Sequence, residues 1–297
     1  MADLKMSEIF ETERPRLFGL AYRMLGSVAD AEDMVQDTWL RWSNVEIDTI
    51  NNAQAFLTTI VTRLSLDQLK SAKHTKETYI GSWLPEPLLS DTQSSPSNTP
   101  DQTVEIADDV SFALILAMEK LSPAERASFL LHDVFDLDFD EIAKTLDRTP
   151  ASCRKLASRA RQKIRSDRDQ TLPVRPEEPL IASFHAALQT GDLEGFVKFI
   201  AKDAILVTDG GGIKTATLNP IVGRDKILRL FAGLLSKNQM PGFDDIKLTT
   251  INGGPGILVR EADGSLQVWS MGWTPEGQIK ELYIIRNPEK LGHVVFD

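Results

Sequence analysis

From Ile9 to Lys73 apolar residues recur at spacings of three and four: Leu17, Leu20, Ala21, Met24 and Leu25, then Val35, Trp39 and Leu40, then Phe56, Leu57, Ile60, Val61 and Leu64. That period marks one face of a helix, so it predicts an all-helical domain over 1–75. Gly26-Ser27 predicts a break after the first helix, and the acids from Asp30 to Asp33 suit the positive end of the next helix's dipole. A second helical block is expected over 108–170. Over 179–297 a helical start (LIASFHAALQTGDLEGFVKFI) gives way to short β-type runs, AILVTD, IKLTTING, GILVREADG, SLQVWSMGW and IKELYIIRN, separated by Asn-Gly and Asp-Gly turns. That third block is α+β.

Two polar stretches separate the blocks. Residues 76–107 hold Pro85, Pro87, Pro96 and Pro100 among five serines, a composition expected to form a linker and no packed element. Residues 171–178, inside TLPVRPEEP, are expected to be a hinge. A length of 297 residues agrees with two or three domains.

The middle block has the layout of a helix-turn-helix. Ser122-Pro123 caps a helix with Ala127, Leu130, Leu131 and Val134 inward; Phe139, Ile142, Ala143 and Leu146 make a second short helix; Thr149 caps a third. On the third helix Cys153, Ala157, Ala160 and Ile164 face the core. Ser152, Arg154, Lys155, Ser158 and Arg159 then lie on or beside the outer face, as base-edge and phosphate contacts in a major groove require. A solvated basic face on an ordinary bundle is the alternative.

Charge first opposes this reading and then supports it. A net charge of −10 argues against a nucleic-acid binder. From Arg148 to Arg168, however, eight Lys/Arg stand against one acid, Asp167, so the positive potential is local. The single cysteine, Cys153, excludes an internal disulfide and thiolate metal clusters, and it reads as a small core residue. The N-terminus has no apolar leader run, and no stretch approaches the roughly 18 apolar residues of a membrane helix. The expectation is a cytoplasmic protein with no membrane partner, no metal and no cofactor.

FETERPRLFGLAYRMLGSVADAEDMVQDTWLRW followed by AFLTTIVTRLSLDQLKSAK resembles sigma region 2, and the helix-turn-helix resembles sigma region 4 of the extracytoplasmic-function family, over Ser7 to about Asp169. The resemblance implies a transcription initiation factor whose partners are core RNA polymerase, through the β′ clamp helices and the β flap, and promoter DNA. It implies that Asp30, Glu32, Asp33, Gln36, Asp37 and Trp39 dock on the clamp helices. It implies too that the helix from Asn52 to Lys73 reads and melts the −10 element, with Arg63 near a flipped base. Phe56, Arg63, Lys70 and Lys73 can supply the stacking groups and phosphate anchors this needs. By itself the acidic cluster is also consistent with simple helix N-terminal charge.

Three further motifs, WLPEP (Trp83, Leu84, Pro85, Glu86, Pro87), DGGG (Asp209, Gly210, Gly211, Gly212) before Lys214, and NPEKL (Asn287, Pro288, Glu289, Lys290, Leu291), resemble the signature set of sigma factors fused to a SnoaL-like domain, the SigJ type. The resemblance implies a cone of curved sheet and helices around an apolar pocket, with the three motifs as exposed regulatory contacts and room for a small-molecule ligand. The family's DGGGK stands here as DGGGIK, with Ile213 inserted, and its NPDKL as NPEKL. Taken alone, DGGG reads as a tight turn. WLPEP reads as a stiff extended segment with Trp83 as its apolar anchor.

An enzymatic cone would need a converging acid/base pair. The nearest candidates, His185 and Asp209, do not form a clear one, so no catalytic residue is assigned. The alternative function is a one-component helix-turn-helix regulator carrying a small-molecule sensor.

Overall fold

The structure is a computed structural model describing residues 2–89, 112–168, 193–237 and 245–296. The chain forms two compact units, one from 1–78 with 114–167 and the other from 79–113 with 168–297.

The first unit is helical. α1 (Ala2–Leu25) ends where Gly26 takes a φ of 72° and donates its N–H to Tyr22 O. This left-handed stop costs a glycine no Cβ clash. α2 (Val28–Trp42) starts from Ser27, whose hydroxyl accepts the Asp30 N–H, and α3 (Ala53–Glu77) packs against both preceding helices. Their shared core holds Leu17, Leu20, Met24, Val35, Trp42, Leu57 and Val61, close to the expected periodic positions. Trp42 is fully enclosed, and its indole N–H reaches Met6 O at 3.0 Å, which satisfies the one polar atom that burial would penalise.

The same unit contains α4 (Phe112–Glu119) from Leu114 onward, α5 (Pro123–Phe129), α6 (Phe139–Leu146) and α7 (Pro150–Arg168) as far as Asp167. A reciprocal Ser122–Glu125 capping box opens α5, which runs on into a π-helical turn, Leu130–Val134. Asp138 caps α6 through the Asp140 and Glu141 N–H groups, and Asp147 stops it in the left-handed region. Thr149 caps α7 through the Ser152 N–H. Cys153, Ala157, Ala160 and Ile164 are buried, and burial pushes the Cys153 thiol pKa up.

The second unit is α+β, as expected. Among its described residues six strands form one sheet in the order β2-β1-β6-β5-β4-β3: β1 (Ile200–Asp209), β2 (Ile221–Val222), β3 (Ile246–Ile251), β4 (Gly254–Arg260), β5 (Leu266–Trp273) and β6 (Ile279–Ile285). β1 and β6 pair in parallel and the other neighbours antiparallel. Asn252 and Gly253 both have positive φ at the β3–β4 turn, the conformation that favours Asn-Gly in tight hairpins. The short helix α8 (Leu193–Phe199) leads into β1, and α9 (Arg224–Ser236) lays Ile227 and Phe231 into a core with Trp269, Met271, Trp273 and Leu282.

The linker departs from expectation. Residues 79–89 belong to the sheet unit, where Leu84, Pro85 and Pro87 are buried. Leu88 exchanges hydrogen bonds with Asn252, and Leu89 bridges Ile251 at the end of β3. Proline pre-sets an extended backbone, so ordering this segment loses little chain entropy. Residues 90–107 and the expected hinge at 171–178 lie outside the described residues, as does His185.

Candidate nucleic-acid interface

α7 sorts its side chains as its spacing requires. Arg154, Lys155, Ser158 and Arg159 are exposed and Ser152 is half-buried, opposite the buried Cys153–Ile164 stripe. The Arg154 guanidinium sits 5.5 Å from the centre of the Phe139 ring, which steadies it without using up its hydrogen-bonding edge. Two basic residues turn away from the outer face. Arg161 pairs with Asp133 at 2.7 Å, and Lys163 with Glu125 at 2.8 Å. Burial alone would raise the Glu125 carboxyl, but hydrogen bonds from Lys163 and Ser122 outweigh it and hold the pKa below its usual value.

On α3 the expected group disperses. Phe56 is half-buried against Trp42, with ring centres 5.9 Å apart, so its role here is packing. Lys70 is exposed and pairs with Asp67. Lys73 belongs to α3, but its side chain lies outside the described residues. Arg63 is engaged by the helix-turn-helix: its Nε donates to Thr145 O at 2.9 Å and its Nη2 to Lys144 O at 3.0 Å.

The acidic set on α2 also divides. Asp30 turns onto α3, accepting from Gln68 Nε2 at 3.1 Å, and Trp39 is half-buried with its ring centre 5.0 Å from that of Phe10. Glu32, Asp33, Gln36 and Asp37 are exposed along one helix face. Leu40, one turn beyond Gln36, joins that face at 53% exposure. Sequence periodicity places Leu40 in the core instead. Its position next to Trp39 and Trp42 is the only signal that one of the three has to face outward.

In the sheet unit WLPEP, DGGG and NPEKL, expected as exposed contacts, meet instead through a buried polar cluster, while Gly212, Pro288 and Glu289 stay exposed. Asp209, at the end of β1, is enclosed and accepts four donors: Tyr79 Oη at 2.6 Å and Gly211 N at 3.0 Å on one oxygen, Leu84 N at 2.8 Å and Lys290 Nζ at 2.6 Å on the other. Lys290 Nζ also donates to Leu84 O at 2.5 Å and stands 4.7 Å and 4.3 Å from the ring centres of Tyr79 and Trp83. Asn287 Nδ2 donates to Tyr79 Oη, and its Oδ1 accepts Glu289 N to cap the turn Pro288–Lys290. Burial first, and the carboxylate of Asp209 second, push the Tyr79 phenol well above its ordinary range. Leu84 is the apolar anchor of WLPEP, where Trp83 was expected; the indole provides a face for the ammonium. Glu86 is half-buried, Leu291 buried, and Pro288 and Glu289 exposed. Tyr79 is not legible in the sequence because it lies outside the motif.

The glycines of DGGG are fixed by close approach. A Cβ on Gly210 would lie 2.1 Å from Lys214 O, and one on Gly211, whose φ is 62°, would lie 2.3 Å from Asn287 Nδ2. The inserted Ile213 is exposed in the turn. Lys214 passes to the β4–β5 hairpin, where it meets Asp263 at 2.5 Å and Ser265 Oγ at 2.6 Å. The hydrogen bond to Asp263 raises the Lys214 pKa.

Residues 9–75 match the family model for sigma-70 region 2, and residues 111–164 that for sigma-70 region 4, the two modules of a transcription initiation factor. The chain is 34% identical, over 97% of its length and 93% of the relative's, to the ECF RNA polymerase sigma factor SigJ of Mycobacterium tuberculosis. It is 34% identical to the probable ECF RNA polymerase sigma factor SigI of the same organism, over 66% of this chain and 67% of that one. The crystal structure of the M. tuberculosis extracytoplasmic function sigma factor SigJ superposes with a TM-score of 0.77 at 32% identity, covering 97% of this chain and 98% of that one. The chain belongs to the extracytoplasmic-function family of RNA polymerase sigma factors. It is therefore an initiation factor and not an enzyme, and the family implies core RNA polymerase and promoter DNA as its partners. No described helix is long and apolar enough to cross a membrane.

Proposed function

We propose that α7 reads the −35 element through Ser152, Arg154, Lys155, Ser158 and Arg159, with Arg154 and Lys155 reaching base edges and Arg159 a phosphate. α3 reads and melts the −10 element through Arg63, Lys70 and Lys73, with Phe56 supporting it from beneath. α2 docks on the β′ clamp helices with Glu32, Asp33, Gln36 and Asp37 around Leu40, while Asp30 and Trp39 hold that face in place. Region 4 also meets the β flap. Such a protein acts in the cytoplasm, where polymerase and promoter are.

The domain boundaries proposed are 1–75 for region 2, 76–107 for the linker, 108–170 for region 4, 171–178 for the hinge and 179–297 for the regulatory domain, which takes the SnoaL-like form. That domain modulates initiation through its grip on the linker. Every residue seated around Asp209, Asn287 and Lys290 is subtracted from the chain that must span region 2 and region 4, which changes their effective concentration on the promoter. A small-molecule ligand held by this domain would act on this grip.

The observation that carries the reading is the division of α7 into a buried small-residue stripe and an exposed face bearing Arg154, Lys155, Ser158 and Arg159. In transcription with core polymerase, Arg154→Ala with Lys155→Ala should lower output at least about 30-fold, each of the two base contacts contributing about 1–3 kcal/mol. Association with core should be unchanged. Undiminished promoter-specific output from the double variant would overturn the assignment.

A further inference from the structure

The cations of α7 are held in two different ways. Arg161 and Lys163 pair with Asp133 and Glu125, so their donors are engaged within region 4 itself. Arg154 has no hydrogen bond or ion pair among the described residues, and its guanidinium carbon stands 5.5 Å from the Phe139 ring centre. Phe139 in turn is fixed from two directions. As the first residue of α6 it follows the cap Asp138, whose carboxylate accepts the Asp140 and Glu141 N–H groups. The His132 ring also packs on it, with centres 4.1 Å apart and planes inclined at 38°. His132 belongs to the π-helical turn after α5, and its Nδ1 donates to Leu137 O at 3.0 Å, which closes the turn leading into α6. One chain of contacts, His132 to Phe139 to Arg154, thus runs from the α5–α6 turn to the exposed face of α7.

Core filling alone does not account for Phe139. Ile142 and Ala143 are the buried apolar residues of α6, whereas the Phe139 ring is half-buried. An aliphatic side chain would cover the same core, but only a ring adds a negative face for a cation. The guanidinium is planar with its N–H donors in that plane, so contact through its face leaves the bidentate edge free. We infer that Phe139, backed by His132, is a positioning residue for −35 recognition: it holds Arg154 in reading geometry before DNA arrives, and Arg154 directs its free edge to the two acceptors of a guanine. The inference rests on the assignment of α7 to the −35 element. An arginine already ordered in the free chain loses less side-chain freedom on binding, an advantage of about two- to tenfold in affinity. Lys155 and Arg159 make no ring contact among the described residues, so losing the ring should be felt at the one base pair that Arg154 reads.

The role can be tested by transcription with the full chain and core polymerase on promoters in which each −35 base pair is replaced in turn. One G·C position should lose its selectivity in Arg154→Ala, which marks the pair that Arg154 reads. At that position Phe139→Leu, which keeps apolar bulk without the aromatic face, should lower selectivity about two- to tenfold. Phe139→Tyr should restore it. Selectivity at the other positions should stay as in the parent. In the Arg154→Ala background Phe139→Leu should add nothing at the marked position, as two residues acting through one contact require.

A Phe139→Leu chain that discriminates like the parent at the marked position, or that loses selectivity evenly across the element, would overturn the inference. If the leucine variant proves unstable, NMR relaxation of the arginine Nε–H groups in the free unmodified chain decides, with the Arg154 signal identified by its loss in Arg154→Lys. Arg154 should be more restrained than Arg159, and equal mobility would overturn the inference. Failure of the underlying reading looks different, because then Arg154→Ala would change selectivity at no −35 position.

Discussion

The Lys290 ammonium lies 2.6 Å from the Asp209 carboxylate with the two side chains 8% and 0% exposed, so neither charge has water to fall back on. The pair is satisfied only because two parts of the chain far apart in sequence complete it: Tyr79 and the Leu84 backbone from the linker, and Asn287 through the Tyr79 hydroxyl. Docking of the linker and stability of the sheet unit are thereby coupled.

Removing one member of this pair should be costly. Lys290→Met leaves Asp209 buried without its cation, and breaking a buried pair in this way destabilises by roughly 3–5 kcal/mol. Thermal unfolding of the purified chain should show the loss. Limited proteolysis should show earlier cleavage between residues 79 and 89. Adding Asp209→Asn should restore part of the stability, because the uncompensated charge is then gone. A Lys290→Met chain as stable as the parent would contradict the coupling.

Gly211 should tolerate no side chain. Its φ of 62° disfavours any Cβ, and the added atom would overlap the Asn287 amide. Gly211→Ala should therefore destabilise the sheet unit by at least about 1 kcal/mol and weaken linker docking. Gly264→Ala has positive φ but open space around it and should cost less. Denaturant midpoints for the two variants, compared side by side, check the order.

Region 4 should carry an acid-sensitive contribution from Glu125. Its carboxyl is held below the usual value by Lys163 and Ser122 against the opposing effect of burial. The folded-state pKa is depressed, so the stabilisation is complete above the ordinary carboxylate pKa and fades as pH falls through the folded value. Glu125→Gln should cost about 1 kcal/mol of stability at pH 7, in the range of a lost cap. The difference from the parent should shrink as pH falls below about 4. A difference that stays constant down to pH 3 would contradict the assignment.

Helix periodicity alone makes α3 and α7 readable, since Leu57, Val61 and Leu64 and the Cys153–Ile164 stripe differ sharply from their polar neighbours. The α+β character of the third block is equally plain from its turns. Leu40 escapes because a three-four spacing cannot say which of several adjacent apolar residues faces out. Arg126 escapes because a buried arginine looks like a surface one until the carbonyls of Met24 and Met118 are seen around it. The parallel pairing of β1 with β6, which brings Asp209 beside Ile285 and so toward Asn287 and Lys290, is a long-range choice that no local pattern encodes. The family motifs name the participants in that cluster, but not that burial joins them.

The assignment of the exposed face of α7 to duplex DNA is tested most directly by a photoreactive benzophenone at position 158 in the chain assembled with core polymerase on a promoter fragment. The account predicts adducts to DNA in the −35 region that disappear when the −35 sequence is replaced. Adducts to protein alone, or DNA adducts indifferent to that sequence, would contradict it.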